Sequence, residues 1–419
     1  MAIAYIRPDL PESGKVDPVK LDGPDLWSRS MLALIATLAI QALVSMTVLT
    51  PPVLAALAAP DIGVASERIG LFTALVYAGA ILSSAGSGAL LARIGPLRIS
   101  QCCLVSCAAG IGIASMTFLP AVALGAVLMG LGYGPVTPAS SHILIRQTPP
   151  ERRSLMFSLK QTGVPVGGAL AGFIAAPLAL MIGWRGAALT VAVASLALAL
   201  AVEPLRARFD AGDATGPMTA RSPLAGIRLV LRTPALRRLA LSSTTFAATQ
   251  LSLATFLVTF LTERAGVPLV TAGIVMAAAQ GSGIVGRILL GWVADRLLRA
   301  GRVLALLGIG MAAASVATGL ISSAWPLPAI FAATALLGLT GLSWNGVYLA
   351  EVAAIAPPGA AGAATGGALS VTFLGIVLGP ALFSAVVSLS GSYTLGFAIV
   401  GAGSLLGGLS VWAVGRPGA

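Results

Sequence analysis

The sequence predicts an all-helical membrane protein with twelve transmembrane helices, arranged as two related halves of six. Three observations lead there. The chain is 57% hydrophobic and 9% charged, with a mean hydropathy of +0.96, whereas about a quarter of the residues in a soluble domain are charged. Apolar runs of about 18 residues or more recur along its 419 residues, each long enough to cross ~30 Å of hydrocarbon as a helix. Segments of the second half repeat segments of the first. Alternating strand patterns are absent, which argues against a β-barrel.

Residues 1–30 are polar and proline-rich with no apolar signal-peptide core, and read as a cytoplasmic tail. The first span then acts as the insertion signal. Six spans at about 31–58, 69–92, 98–118, 121–146, 155–181 and 185–204 make an N-terminal half, 31–204. Residues 205–235, the one long polar interior stretch, form a cytoplasmic linker. Its segment 222–231 has the amphipathic character of a helix lying on the inner membrane surface. Six more spans at about 236–263, 268–294, 302–323, 326–354, 361–388 and 392–414 make the C-terminal half, 236–414, before a cytoplasmic end at 415–419.

Orientation follows from the basic residues, which concentrate on the cytoplasmic side. With the N-terminus inside, only Arg68, Arg185 and Arg264 of the 25 lysines and arginines face outward. Both termini are therefore expected in the cytoplasm, with the protein in the plasma (inner) membrane. The net charge of +11 does not point to nucleic acid, because the basic residues sit in short loops and form no stripe. Cys102, Cys103 and Cys107 start an apolar run and read as small buried residues, with no disulfide framework or metal site. No phosphate loop, paired catalytic carboxylates or soluble domain is visible, so neither an enzyme, an ATP-driven pump nor a cofactor is expected.

The internal repeat is weak but can be traced residue by residue. GSGALLARIG (86–95) corresponds to VGRILLGWVADRL (285–297), with Gly88 matching Gly291 and Arg93 matching Arg296. LMGLGYG (128–134) matches LLGLTGL (336–342), Pro149–Pro150 match Pro357–Pro358, and Gln41 matches Gln250. Two parallel six-helix halves with a site between them near the midplane are a transporter pattern. The loop GWVADRLLRAGR (291–302) resembles the G-x-x-x-D-R-x-x-x-x-x-R motif of the major facilitator superfamily, with GALLARIGPLR (88–98) as its weaker copy. Ala92 stands where that family has aspartate. In physical terms, Gly88 and Gly291 allow close helix approach. Asp295 either pairs with an arginine of a neighbouring loop to hold one face closed, or with Arg296 forms an ordinary solvated helix end.

An intramembrane charge costs about 2.5–3.5 kcal/mol on insertion scales, so each needs a reason. Arg287 lies eight residues, about 12 Å, inside Asp295 on the same helix. Either it is the counter-charge of a substrate, or it bonds a backbone carbonyl or water and stabilises the bundle. Lys160 enters the fifth span in FSLKQTGVPVGGALAG (157–172), and either snorkels to the interface or faces a cavity. The resemblance implies that spans five and eight are neighbours, which would bring Lys160 and Arg287 to one cavity.

Gln41, Tyr77, Gln250, Gln280 and Asn345 are the neutral polar residues at similar depth, with Trp344 beside the last. None of the 14 acidic residues lies near the centre of a span; Asp61, Glu67, Glu203, Glu263 and Glu351 fall in loops or at span ends. A guanidinium without a carboxylate favours an anion, which it can hold through a planar fork.

Branches of the superfamily that carry monocarboxylates and oxalate are similar in having an arginine at this place in span eight. Ser84, the counterpart of Arg287, argues against the nitrate-carrying branch. His142 and Glu351 are the candidates for proton coupling, and anion exchange is the other route. The expected function is secondary transport of a small organic anion by alternating access, as symport or exchange, by a monomer in a lipid bilayer. The alternative is a proton-driven multidrug exporter, which usually needs an acid within the first-half spans; none is found there.

Overall fold

The computed structural model describes residues 24–149, 153–210, 223–357 and 360–412. Among these the chain is helical, with no strand. The N-terminal half comprises α1 (Pro24–Ile62), α2 (Ile69–Ile94), α3 (Pro96–Ala114), α4 (Leu119–Tyr133), α5 (Val136–Gln147), α6 (Arg153–Gln161), α7 (Gly163–Leu170), a π-helical turn (Ala171–Ala175) and α8 (Ala176–Ala201). Two short helices, α9 (Arg206–Phe209) and α10 (Pro223–Arg232), lie in the linker region. The C-terminal half comprises α11 (Pro234–Glu263), α12 (Leu269–Arg296), α13 (Ala300–Gly319), α14 (Leu327–Gly341), α15 (Trp344–Ile355), α16 (Ala361–Ser390) and α17 (Tyr393–Val411).

Among the described residues, ten stretches are long and apolar enough to cross a membrane. One of them, Leu159–Phe209, is 51 residues long and holds two of the predicted spans. Gly183, at φ +76°, breaks it. Before the break the chain runs alongside α1, with Gly163 against Gln41 and Gly167 against Ser45, and just past it Trp184 Nε1 donates to Asp61 at 2.9 Å. After it the chain returns, with Ser195 3.1 Å from Thr47 and Glu203 3.2 Å from Arg98. α2 covers the predicted second span, so every predicted span is accounted for by helix. α1 begins at Pro24, ahead of the predicted residue 31, with proline at a first position where a missing N–H costs nothing. One face of the segment read as lying on the membrane surface packs on protein: Val230 of α10 is buried, and a Cβ on Gly367 of α16 would overlap Gly226.

The two ends of the bundle differ. At the end carrying Asp61, one apolar core draws on both halves, from Phe72 and Val76 of α2 to Phe256 of α11 and Phe383 of α16. At the end carrying Asp210, each half has its own core: one holds only residues 33–209, the other only residues 230–411. The halves are thus sealed at the Asp61 end and parted at the Asp210 end. Polar bonds reinforce the seal, with Ser384 Oγ donating to Glu67 O at 2.6 Å and Thr255 Oγ1 to Thr73 Oγ1 at 3.3 Å.

The seal needs glycine at one crossing. A Cβ on Gly172 would overlap the carbonyl oxygen of Gly273, and the reverse also holds. Small residues of this kind let membrane helices meet backbone to backbone. Gly172→Leu is therefore expected to force this end apart. A Thr73→Cys/Thr255→Cys pair that cross-links on oxidation should cross-link several-fold more slowly in the Gly172→Leu background.

Candidate functional site

Two helix interruptions shape the floor of the cleft. α4 stops at Tyr133 and α5 starts at Val136; α14 stops at Gly341 and α15 starts at Trp344. These breaks coincide when Leu128 is aligned with Leu336, so they are one feature used twice. Just past each break a side chain reaches the first helix of its half. Thr137 Oγ1 donates to Gln41 Oε1 at 3.3 Å, and Asn345 Nδ2 donates to Gln250 Oε1 at 3.4 Å. Trp344 Nε1 adds a second bond to Gln250, at 3.0 Å. Gln41 and Gln250 thus hold equivalent places, and each is bonded within its own half.

The charges break this symmetry. Lys160, on α6, is 1% exposed and does not snorkel to the interface. Its Nζ is 3.4 Å from Thr137 Oγ1 and 3.3 Å from Gln161 Oε1, and it has no ion pair among the described residues. The helix stops one residue later because of Pro165. That proline lacks the N–H that would bond the Gln161 carbonyl four residues earlier, and an unpaired carbonyl is costly in hydrocarbon.

Arg287 supplies the missing donor from the other half. Its Nη1 donates to Gln161 O at 3.0 Å and its Nε to Leu342 O, in the break between α14 and α15, at 2.8 Å. Arg287 therefore bonds two interrupted helices, one in each half. Its Nη2 makes no hydrogen bond among the described residues. Tyr133 lies within electrostatic reach of Arg287, with its ring 5.4 Å from that of Tyr77. Gln280, two turns along α12, packs on Gly168 of α7.

Gln161 and Thr137 were not singled out from the sequence. The signal for Gln161 was present, a glutamine four residues before a proline inside an apolar run. Thr137 could have been found as the repeat partner of Asn345.

Burying an ammonium with two long hydrogen bonds and no ion pair is unfavourable. Lys160→Met is expected to raise the melting temperature of the purified protein by a few degrees. The same variant should lose transport, and a melting temperature that falls would show that the lysine is structural.

The remaining expected residues lie elsewhere. His142 is half-buried on α5 and Glu351 is 7% exposed on α15, both nearer the Asp210 end. Of the motif residues, Arg93 and Arg296 are exposed; Gly88 lies on α2 and Asp295 on α12, with the surroundings of both outside the described part. Gly291 does not serve close approach here, since a Cβ on it would meet nothing within 4 Å. It lies towards the end where the halves are parted. The tight contacts of α12 are at Gly273, against Gly172, and at Gly283 and Gly286, against Leu342 and Ser343.

The sequence profile of the Major Facilitator Superfamily matches residues 32–380. The chain belongs to this superfamily. It is a multi-pass membrane transporter and not an enzyme. A curated relative, an MFS-type efflux pump of Mycolicibacterium smegmatis, is 29% identical over 180 residues, which are 42% of this chain and 41% of that protein. The match thus spans about two fifths of the relative. Among solved structures, an inward-facing, unoccupied bacterial homologue of the human lysosomal transporter Spinster superposes with a TM-score of 0.67 at 18% identity, covering 92% of this chain and 94% of that one. The nucleoside transporter NupG gives 0.73 at 14% identity, with 91% and 100% covered. A peptide transporter, POT, in complex with sulfate gives 0.72 at 16% identity, with 94% and 98% covered. At these identities the superpositions speak for the fold alone.

Proposed function

We propose that this transporter carries a small organic anion, most simply a carboxylate, by alternating access, with the Asp210 end in the cytoplasm. The observation that carries the reading is Arg287. Bonded to the residue that follows the buried Lys160, it reaches the junction of the halves with one guanidinium nitrogen left over, and it has no carboxylate partner among the described residues. A carboxylate would take the fork of Arg287, with Gln250, Asn345 and Thr137 offering neutral hydrogen bonds nearby and Gln41, Tyr77 and Gln280 completing the floor. His142 and Glu351 would carry a coupled proton, as symport, or the cycle would run by exchange. The working unit would be a monomer in the plasma (inner) membrane, with both termini cytoplasmic. In that orientation Arg93, Arg296 and Asp295, with Gly88 and Gly291, would close the cytoplasmic face when the halves rock.

The test is ligand-induced thermal stabilisation against carboxylates, amino acids and lipophilic cations, repeated with Arg287→Ala, followed by uptake into liposomes. A carboxylate that stabilises the native protein and not the variant supports the reading. A second reading, proton-driven export of lipophilic compounds, is favoured by the match to the mycobacterial efflux pump. Stabilisation by lipophilic cations in native and variant protein alike would select it.

A further inference from the structure

A gap between α2 and α4 opens at the Asp61 end, within the N-terminal half. α2 and α4 pack closely near the middle of the bundle, where a Cβ on Gly79 would come 2.8 Å from Val127 O and one on Gly130 would overlap Val76 O. Towards the Asp61 end they part, and the gap between them is a cavity of about 290 Å³. Leu54 of α1 and Ile111 of α3 form its floor, and Phe72, Leu75 and Val122 its walls. Leu71 of α2 and Leu119 of α4 line it too and are exposed, so it opens sideways onto the membrane. An apolar wedge open to hydrocarbon takes an acyl chain.

The headgroup preference comes from the rim. Three basic residues of the described chain were expected to face this side of the membrane. Arg185 pairs with Asp61 at 3.6 Å and lies over the Trp184 ring. Arg264 donates to Gly391 O at 2.9 Å and lies over the Tyr393 ring. Arg68, which lines the wedge, is exposed, and its side chain has no hydrogen bond or ion pair among the described residues. A cation without a partner at the mouth of an acyl-sized wedge complements a phosphate on the lipid whose chain fills it.

We propose that the wedge holds one acyl chain of an anionic phospholipid, with its phosphate on Arg68. The wedge lies inside one six-helix half, so binding there does not depend on what the cleft transports. Native mass spectrometry of the full chain in detergent, with phosphatidylglycerol and phosphatidylcholine of identical chains, tests it. One phosphatidylglycerol should be retained in preference by roughly fivefold, the factor that corresponds to about 1 kcal/mol per basic residue at an anionic membrane surface. Arg68→Gln, at an exposed side chain, should abolish the preference while phosphatidylcholine binding persists. Val122→Trp, which fills the wedge, should remove both lipids. Equal binding of the two lipids by the native chain, a preference that survives Arg68→Gln, or lipid binding that survives Val122→Trp in folded protein would each overturn the assignment.

Discussion

Replacing Arg287 with glutamine is expected to weaken binding of the proposed carboxylate substrate by at least about thirtyfold. That factor corresponds to about 2 kcal/mol, the scale of a hydrogen bond to a charged group. Arg287→Lys should lose nearly as much, because an ammonium keeps the charge but cannot hold Leu342 O and a carboxylate together through one planar fork. Isothermal titration with the carboxylate found by thermal stabilisation measures both. Affinity retained in Arg287→Lys would mean that the site needs only a positive potential. Affinity retained in Arg287→Gln would leave the arginine a purely structural role, bonding the carbonyls of two broken helices.

The second large effect is expected at Pro165, which touches no substrate in this reading. Pro165→Ala restores an N–H four residues after Gln161, so the Gln161 carbonyl can bond within its own helix. Arg287 then loses an acceptor in the opposite half, and two consequences follow. Carboxylate affinity should rise by about tenfold, because the guanidinium no longer has to give up a hydrogen bond worth about 1.5 kcal/mol. Cross-linking of the Thr73→Cys/Thr255→Cys pair in the absence of substrate should slow, because one bond between the halves is gone in the state sealed at the Asp61 end. Cross-linking measured without ligand separates this from any question of substrate. If the rate is unchanged, the Arg287–Gln161 bond does not bias the conformation.

The architecture was legible because a bilayer imposes few solutions. The helical spans follow from the cost of an unpaired backbone in hydrocarbon, their length from the thickness of the bilayer, and the loop charge from the bias of basic residues to the cytoplasmic side. The Gln41 and Gln250 correspondence was also readable, and it survives as two equivalent hydrogen bonds across the broken spans. The surroundings of the two intramembrane cations were not readable. Lys160 as a snorkelling residue and Lys160 as a buried one give the same sequence, and only packing distinguishes them. Gly291 was read as a close-approach residue from its motif, yet the contact it would need is absent at the end where the halves are parted.

The sequence by itself determined that the chain is a two-fold-repeated helical membrane transporter, and that its one deep arginine lies in the second half. Tertiary structure decided what that arginine touches. A proline leaves a carbonyl without a donor four residues before it, which is a local fact. Which donor answers it depends on two helices 126 residues apart in sequence meeting across the interface of the halves. That meeting is set by close helix packing and by which end of the bundle is sealed, and neither is encoded in a local pattern.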